Sequence, residues 1–281
     1  MCELFAVSSR LPTVVDFTLE RLARHGGLEG PNKDGWGLAY YQDGDVLLLR
    51  EPTPASQSEL VRFMEQKGPP SRFVVSHIRR ATRGGIALRN TQPFERELGG
   101  KVHVFAHNGT LKDIEARCDI GKYRFHRIGE TDSEYAFCCL LQRLAPLWDG
   151  IEDGVPDPDE RLSIVAEFAA WLRPMGPANF IYSDGDMLFA HAHRRTQKDG
   201  RIAPPGLHML KRRCDERPPD LRHAGVGLAT EPQELTLLAS VPLTGEAWEP
   251  LAEGEVVALR EGEAWSRSVP VAAGSGEAAL S

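Results

Sequence analysis

Trp36-Gly37-Leu38-Ala39-Tyr40-Tyr41-Gln42-Asp43-Gly44-Asp45-Val46-Leu47-Leu48-Leu49-Arg50 is two runs of strand character joined at Asp43-Gly44. Asp-Gly between such runs is a strong short-range hairpin signal, because a two-residue turn that matches strand twist needs positive φ at both positions. The pattern predicts paired strands over 36–41 and 46–50. Further along, Phe73, Val75, His77 and Arg79 alternate with Val74, Ser76, Ile78 and Arg80, a period of two that predicts a strand over 72–79 with His77 and Arg79 on one face. Other strands are expected over 3–8, 102–108, 179–184, 187–191, 224–230, 235–241 and 255–259, the fourth and third of these pairing across Gly185.

Helical patterns lie between them. Ser56-x-x-Glu59 reads as a capping box before Leu60, Val61 and Met64, with Gly68 as a stop. Thr131-x-x-Glu134 opens the strongest helix, expected to run to about Ala145. After an Asp-, Gly- and Pro-rich loop over 148–160, Leu162, Val165, Ala169 and Leu172 mark a third helix. The segment 198–222 is Pro- and Arg-rich and reads as a surface excursion too polar to form core, and 272–281 as a mobile tail. There is no internal repeat and no linker chemistry, so a single domain over 2–271 is expected. Many strands with helices in blocks of one or two, rather than strict alternation, predict an α+β fold of mainly antiparallel sheets.

The chain has 281 residues, 41% hydrophobic and 26% charged, with a formal net charge of -7, which is the profile of a globular protein. Its longest apolar run, Tyr135 to Leu141, falls far short of the roughly 20 residues of a membrane span. The N-terminus lacks a basic segment followed by an apolar one, so no secretory signal is expected and the expected compartment is the cytoplasm. Five cysteines without a C-x-x-C suggest neither a disulfide framework nor a cysteine zinc site. Net acidity disfavours nucleic acid as a partner, and the basic runs Arg194-Arg195 and Lys211-Arg212-Arg213 read as loops.

Four short segments could carry chemistry. Removal of Met1 would leave Cys2 with both a thiol and an α-amine of pKa about 7.7–8.0, a nucleophile with its own base attached. His107-Asn108-Gly109 ends a predicted strand; the Asn side chain and the Gly N–H are two donors of the kind an oxyanion hole needs, although Asn-Gly alone reads as a turn. Ser76-His77-Ile78-Arg79-Arg80-Ala81-Thr82 puts a guanidinium at a strand end, where it could hold a carboxylate or simply be solvated. Glu130-Thr131-Asp132-Ser133-Glu134 places Asp132 where it could accept from an ammonium group, or merely complement a helix dipole.

In order and spacing the four segments resemble the glutaminase domain of class II glutamine amidotransferases, members of the N-terminal-nucleophile hydrolase superfamily. The resemblance runs over nearly the whole chain, and Asp34-Gly35-Trp36-Gly37-Leu38-Ala39-Tyr40-Tyr41 is similar to the small standalone members that carry no synthase domain. It implies a four-layer αββα sandwich. It implies Cys2 as nucleophile, Asn108 and Gly109 as the oxyanion hole, Arg79 with Thr82 holding the substrate carboxylate, and Asp132 receiving its amine. Two positions depart from the family pattern: Arg80 stands where an aromatic is usual, and Gln92 in Thr91-Gln92-Pro93-Phe94 where many members have His.

The implied reaction is hydrolysis of the γ-amide of glutamine, or of a γ-glutamyl amide or peptide, through a γ-glutamyl thioester on Cys2. The small-molecule substrate gives glutamate and ammonia or an amine, and a separate synthase subunit could be the ammonia acceptor. A non-catalytic regulatory or scaffold protein that keeps a glutamine-binding fold is the alternative. No metal is expected, since His77, His103, His107, His191 and His193 form no helical ligand set. No cofactor is expected either: Gly35-Trp36-Gly37 lacks the third Gly and the Lys of nucleotide motifs.

Overall fold

The central hairpin forms at Asp43-Gly44, where φ is 51° and 84°, both positive as the tight turn requires. It belongs to a computed structural model that describes residues 1–15, 24–28, 30–121, 124–214 and 232–268. In chain order the described strands begin with β1 (Glu3–Thr13), β2 (Trp36–Gln42), β3 (Asp45–Glu51), β4 (Ser71–Ile78), β5 (Phe94–Leu98), β6 (Lys101–Gly109), β7 (Ala178–Ser183) and β8 (Leu188–His191). They continue with β9 (Arg195–Thr196), β10 (Ile202–Ala203), β11 (His208–Cys214), β12 (Gln233–Ala239), β13 (Glu249–Pro250), β14 (Val256–Arg260) and β15 (Glu263–Ser268). The α-helices are α1 (Glu59–Lys67), α2 (Ile114–Arg117), α3 (Asp132–Asp149) and α4 (Pro158–Leu172).

Two antiparallel sheets stack face to face, one ordered β13-β11-β12-β1-β4-β2-β3 and the other β15-β14-β8-β7-β6-β5. Alternation along the strands sorts the side chains into layers. Leu4, Ala6, Phe73 and Val75 of the first sheet meet Val104, Ala106, Ile181 and Val257 of the second in the dry space between them. The outer face of the first sheet, with Val7, Leu38, Tyr40 and Val74, packs on Val61 and Met64 of α1. That of the second, with Phe105, Phe180 and Phe189, packs on Phe137, Leu140 and Leu144 of α3 and Val165 and Phe168 of α4. The result is an αββα sandwich of α+β class. The buried Arg161 of α4 reaches Asp184 and Asp186 in the β7–β8 turn at 2.8 Å each, pinning the outer helix to the sheet.

Several local expectations need correction. The cap of α1 is Ser58, whose hydroxyl accepts from the Val61 N–H at 3.1 Å, while Ser56 sits in the preceding 3-10 turn. Ser58 wins because it also donates to Glu51, which the Trp36 indole holds in place at 3.0 Å. Helix α3 runs past Ala145 and through Pro146 to Asp149, because the buried Trp148 packs edge-on against His103. The excursion after 198 contributes core after all: β11 joins the first sheet and buries Met209 and Leu210, and Lys211-Arg212-Arg213 is its polar end rather than a loop. Arg195 likewise lies on β9. The edge strand β15 escaped because its residues are half-buried to exposed; the signal for it was Glu261-Gly262, a second turn with two positive φ values. The expected strand over 224–230 and the tail over 272–281 lie outside the described residues.

Candidate active site

Strand β1 opens beside the end of β4, with Glu3 opposite Ile78, so Cys2 lies next to Arg79 and Arg80. The Arg80 N–H donates to the Cys2 sulfur at 3.2 Å and the thiol donates to the Arg80 carbonyl at 3.3 Å. Backbone alone therefore fixes the sulfur, and the exposed Arg80 side chain is not needed to position it. Burial pushes the thiol pKa up, against the Arg80 N–H, the Met1 ammonium and Arg79, which pull it down. Burial chiefly, with help from Arg80 and Arg195, lowers the pKa of the Met1 ammonium.

Asn108 and Gly109 end β6 on the opposite sheet. By the alternation of Val104 and Ala106, Asn108 faces the space between the sheets, where its Nδ2 donates to the Ser240 hydroxyl at 3.3 Å. Ser240 follows β12 and also accepts from the Leu4 N–H at 3.0 Å, while its own N–H donates to the Leu4 carbonyl at 2.9 Å. One hydroxyl thus ties Asn108 to the strand that carries Cys2. Asn108 Oδ1 is buried without a partner. Gly109 admits no side chain: a Cβ there would sit 1.8 Å from the Pro177 carbonyl oxygen.

The remaining expected residues gather at the same end. Thr82 and Thr110 share a hydroxyl contact of 3.3 Å, which joins the segment after Arg79 to the one after Gly109. The Leu111 N–H donates to Asp132 at 2.6 Å, and the Ser133 N–H to its other oxygen at 3.0 Å, so the carboxylate at the start of α3 faces the same turn. Thr131 caps α3 by accepting from Glu134 N–H at 3.2 Å. The Arg79 side chain is buried, and its two Nη atoms donate to the carbonyls of Asp34, Arg83, Gly84 and Gly85 at 3.1–3.4 Å. The loop that supplies three of these is itself held by Asn90, which donates to Gly85 O at 3.0 Å and to Glu130 at 2.9 Å.

Sequence reasoning marked Gln92 only as a departure from the family pattern and missed the other residues that hold these groups in place. Gln92 brackets the His107 peptide, accepting from its N–H at 2.6 Å and donating to its carbonyl at 3.2 Å, a role a histidine could fill on only one side. Asn179 donates to Asn108 O at 3.1 Å and to Arg194 O at 2.7 Å, and accepts from His193 N–H at 2.7 Å. The only available signal for Ser240 was a polar residue after an apolar strand. His107, on the helix side of β6, meets Ser133 at 2.9 Å. The fully buried His77 lies opposite Leu4, and burial first, then Arg79 and His107, take its pKa down to about 3, so it stands neutral beside the site. Among the described residues no group of three or more His, Cys, Asp or Glu side chains is arranged to hold a metal ion, and no helix is long and apolar enough to cross a membrane. A cleft of about 500 Å³ lined by Arg72, Lys101, Asp43 and Asp186 lies at the other end of the same strands.

This arrangement places a cysteine, two oxyanion-type donors, a guanidinium and a carboxylate around one end of a sandwich, the parts list of an acyl transfer. Residues 1–277 match the family model described as glutamine amidotransferases class-II. The chain is 34% identical over 256 residues to the Escherichia coli (strain K12) protein YafJ, covering 91% of this chain and 96% of that one. A crystal structure of a protein from Pseudomonas aeruginosa PA01 described as a predicted glutamine amidotransferase superposes with a TM-score of 0.66 at 30% identity, over 94% of this chain and all of that one. The glutamine phosphoribosylpyrophosphate amidotransferase of B. subtilis shares the fold, with a TM-score of 0.58 at 12% identity over 95% of this chain and 49% of that one.

Proposed function

Since the chain belongs to the class-II glutamine amidotransferase family and has its N-terminal-nucleophile fold, we propose that it hydrolyses the γ-amide of glutamine, or of a γ-glutamyl amide or peptide, through Cys2. The observation that carries this reading is the Ser240 hydroxyl, which couples Asn108 to Leu4, two residues from the thiol.

With Met1 removed, the Cys2 α-amine takes the thiol proton and the sulfur attacks the γ-carbonyl carbon, forming a C–S bond and a tetrahedral oxyanion. Asn108 Nδ2 and the Gly109 N–H face that oxyanion. The C–N bond then breaks, the protonated α-amine gives its proton to the departing nitrogen, and ammonia or an amine leaves. Water, activated by the same amine, hydrolyses the thioester to glutamate and regenerates the thiol. The orphaned Asn108 Oδ1 and the Ser240 hydroxyl proton are complementary: with the amide turned over, Ser240 donates to Oδ1 and both Nδ2 hydrogens are free for the oxyanion.

Arg79 binds the substrate α-carboxylate by exchanging carbonyl partners in the 83–85 loop for carboxylate oxygens, beside Thr82, and Asp132 takes the α-ammonium. Residues 2–271 act as one domain of this type, and whether a synthase subunit receives the ammonia depends on the leaving group. The test is glutamate release from glutamine and a panel of γ-glutamyl amides by Met-free protein, beside Cys2→Ala. Release abolished by that substitution supports the reading. Equal release by both proteins, or none from any γ-glutamyl amide, overturns it.

A further inference from the structure

The proposed chemistry fixes where the leaving amine must be. The Cys2 α-amine protonates it, so it lies against that nitrogen, and in the unprocessed chain the group attached there is Met1. Met1 is half-buried, and so marks a space beside the thiol that processing opens.

Two cations border that space: Arg80, whose backbone holds the Cys2 sulfur, and Arg195, bonded to Ser240 beside Leu4; both disfavour the charge of the Met1 ammonium. Arg195 is held from behind: its Nη1 donates to the Ser240 carbonyl at 2.9 Å, one residue's backbone away from the groups that fix Leu4 and Asn108. Its Nε is buried with no hydrogen-bond partner. Among the described residues Nη2 makes no hydrogen bond and no carboxylate stands within ion-pair distance of the guanidinium. Nε and Nη2 together are the side edge of the fork, the one that meets a carboxylate with two parallel bonds. Glu3, the carboxylate that acts on Arg195 through space, is instead engaged by His25 at 2.7 Å. A buried donor without an acceptor is costly to keep, and a guanidinium with its side edge open next to a reactive centre is built for an anionic group that arrives with the substrate.

We propose that Arg195, assisted by Arg80, recognises a carboxylate on the departing amine, so that the substrate class is a γ-glutamyl amino acid or peptide rather than glutamine. The inference rests on the γ-glutamyl hydrolase reading above. It gives the Arg80 departure a purpose: β9 delivers Arg195 to the site, and the exposed Arg80 puts a second positive charge at its mouth. In this reading Arg195 serves the leaving-group side of the thiol, and Arg79 and Asp132 the glutamyl side.

The experiment compares γ-glutamylglycine with γ-glutamylglycinamide, which differ only in the terminal carboxylate, using Met-free wild-type protein, Arg195→Gln and Arg195→Lys. The wild type is expected to favour the carboxylate substrate at least about tenfold in kcat/KM, mainly through KM. Arg195→Gln should bring the ratio close to one, and Arg195→Lys should keep part of it. A wild-type ratio near one overturns the inference without any variant and leaves the hydrolase reading intact. It is also overturned if Arg195→Gln lowers both substrates by the same factor, since Arg195 would then only be holding Ser240. Failure of wild type on both substrates and on glutamine would overturn the hydrolase reading, and this inference with it.

Discussion

The Asn108 side-chain amide and the Ser240 hydroxyl stand 3.3 Å apart across the space between the two sheets, and the same hydroxyl accepts from the Leu4 N–H. Asn108, the proposed oxyanion donor, and the strand that follows Cys2, the proposed nucleophile, belong to different sheets, so their relative placement depends on this bridge. Ser240→Ala should lower kcat about tenfold or more with little change in KM, because it loosens Asn108 without touching the glutamyl anchors. Leaving the buried Leu4 N–H unsatisfied should cost about 1–3 kcal/mol of stability. Steady-state kinetics and a urea melt check both; an unchanged kcat would remove Ser240 from the positioning role.

Asn108→Ala removes the proposed oxyanion donor. Turnover should fall about 10²–10³-fold while binding of glutamate is retained. Turnover at the wild-type rate would take Asn108 out of the mechanism.

Arg79→Lys keeps the charge and loses the fork. The guanidinium of Arg79 now serves four carbonyls, a planar arrangement an ammonium cannot reproduce. KM for glutamine or a γ-glutamyl amide should rise at least about tenfold, more than kcat falls. A KM within twofold of wild type would move the carboxylate site elsewhere.

Acid should destabilise the fold early. Burial holds His77 and His191 down to about 3 and His103 down to about 4. Each is neutral in the fold, while in the unfolded chain it gains a proton near 6.5, so the unfolded state binds more protons below that pH. Their stabilising contribution is complete above about 6.5 and is lost as pH falls toward 4 to 3, at roughly 1.4 kcal/mol per pH unit for each histidine. Tm should therefore drop steeply between pH 6.5 and 5. A Tm flat over that interval would mean these histidines are solvated or charged in the fold.

The legible parts of this protein were those with local chemistry. Asp43-Gly44 declared its hairpin because the turn's φ values need those residues, and Thr131 declared the start of α3 because its hydroxyl caps Glu134. The supporting groups were not legible, since their partners lie far away in sequence: Ser240 is 132 residues from Asn108, and Asn179 is 71. β11 was hidden by its own composition, two buried apolar residues ahead of Lys211-Arg212-Arg213. The six residues expected at the site fall at one end of the sandwich, yet the roles of Gln92 and Asn179 emerge only from contacts within the second sheet, and those of Ser240 and Arg195 from the bridge between the sheets.

The central claim is that Cys2, freed of Met1, is the nucleophile of a γ-glutamyl site. It is tested most directly by intact mass and peptide mapping after exposure to a diazoketone analogue of glutamine, with and without excess glutamine. A Met-free chain carrying one adduct on Cys2, blocked by glutamine, is expected, with Cys118, Cys138 and Cys139 unmodified. A Met-free chain that takes no adduct, or carries it on another residue, would contradict it and favour a regulatory protein that keeps the fold without the chemistry.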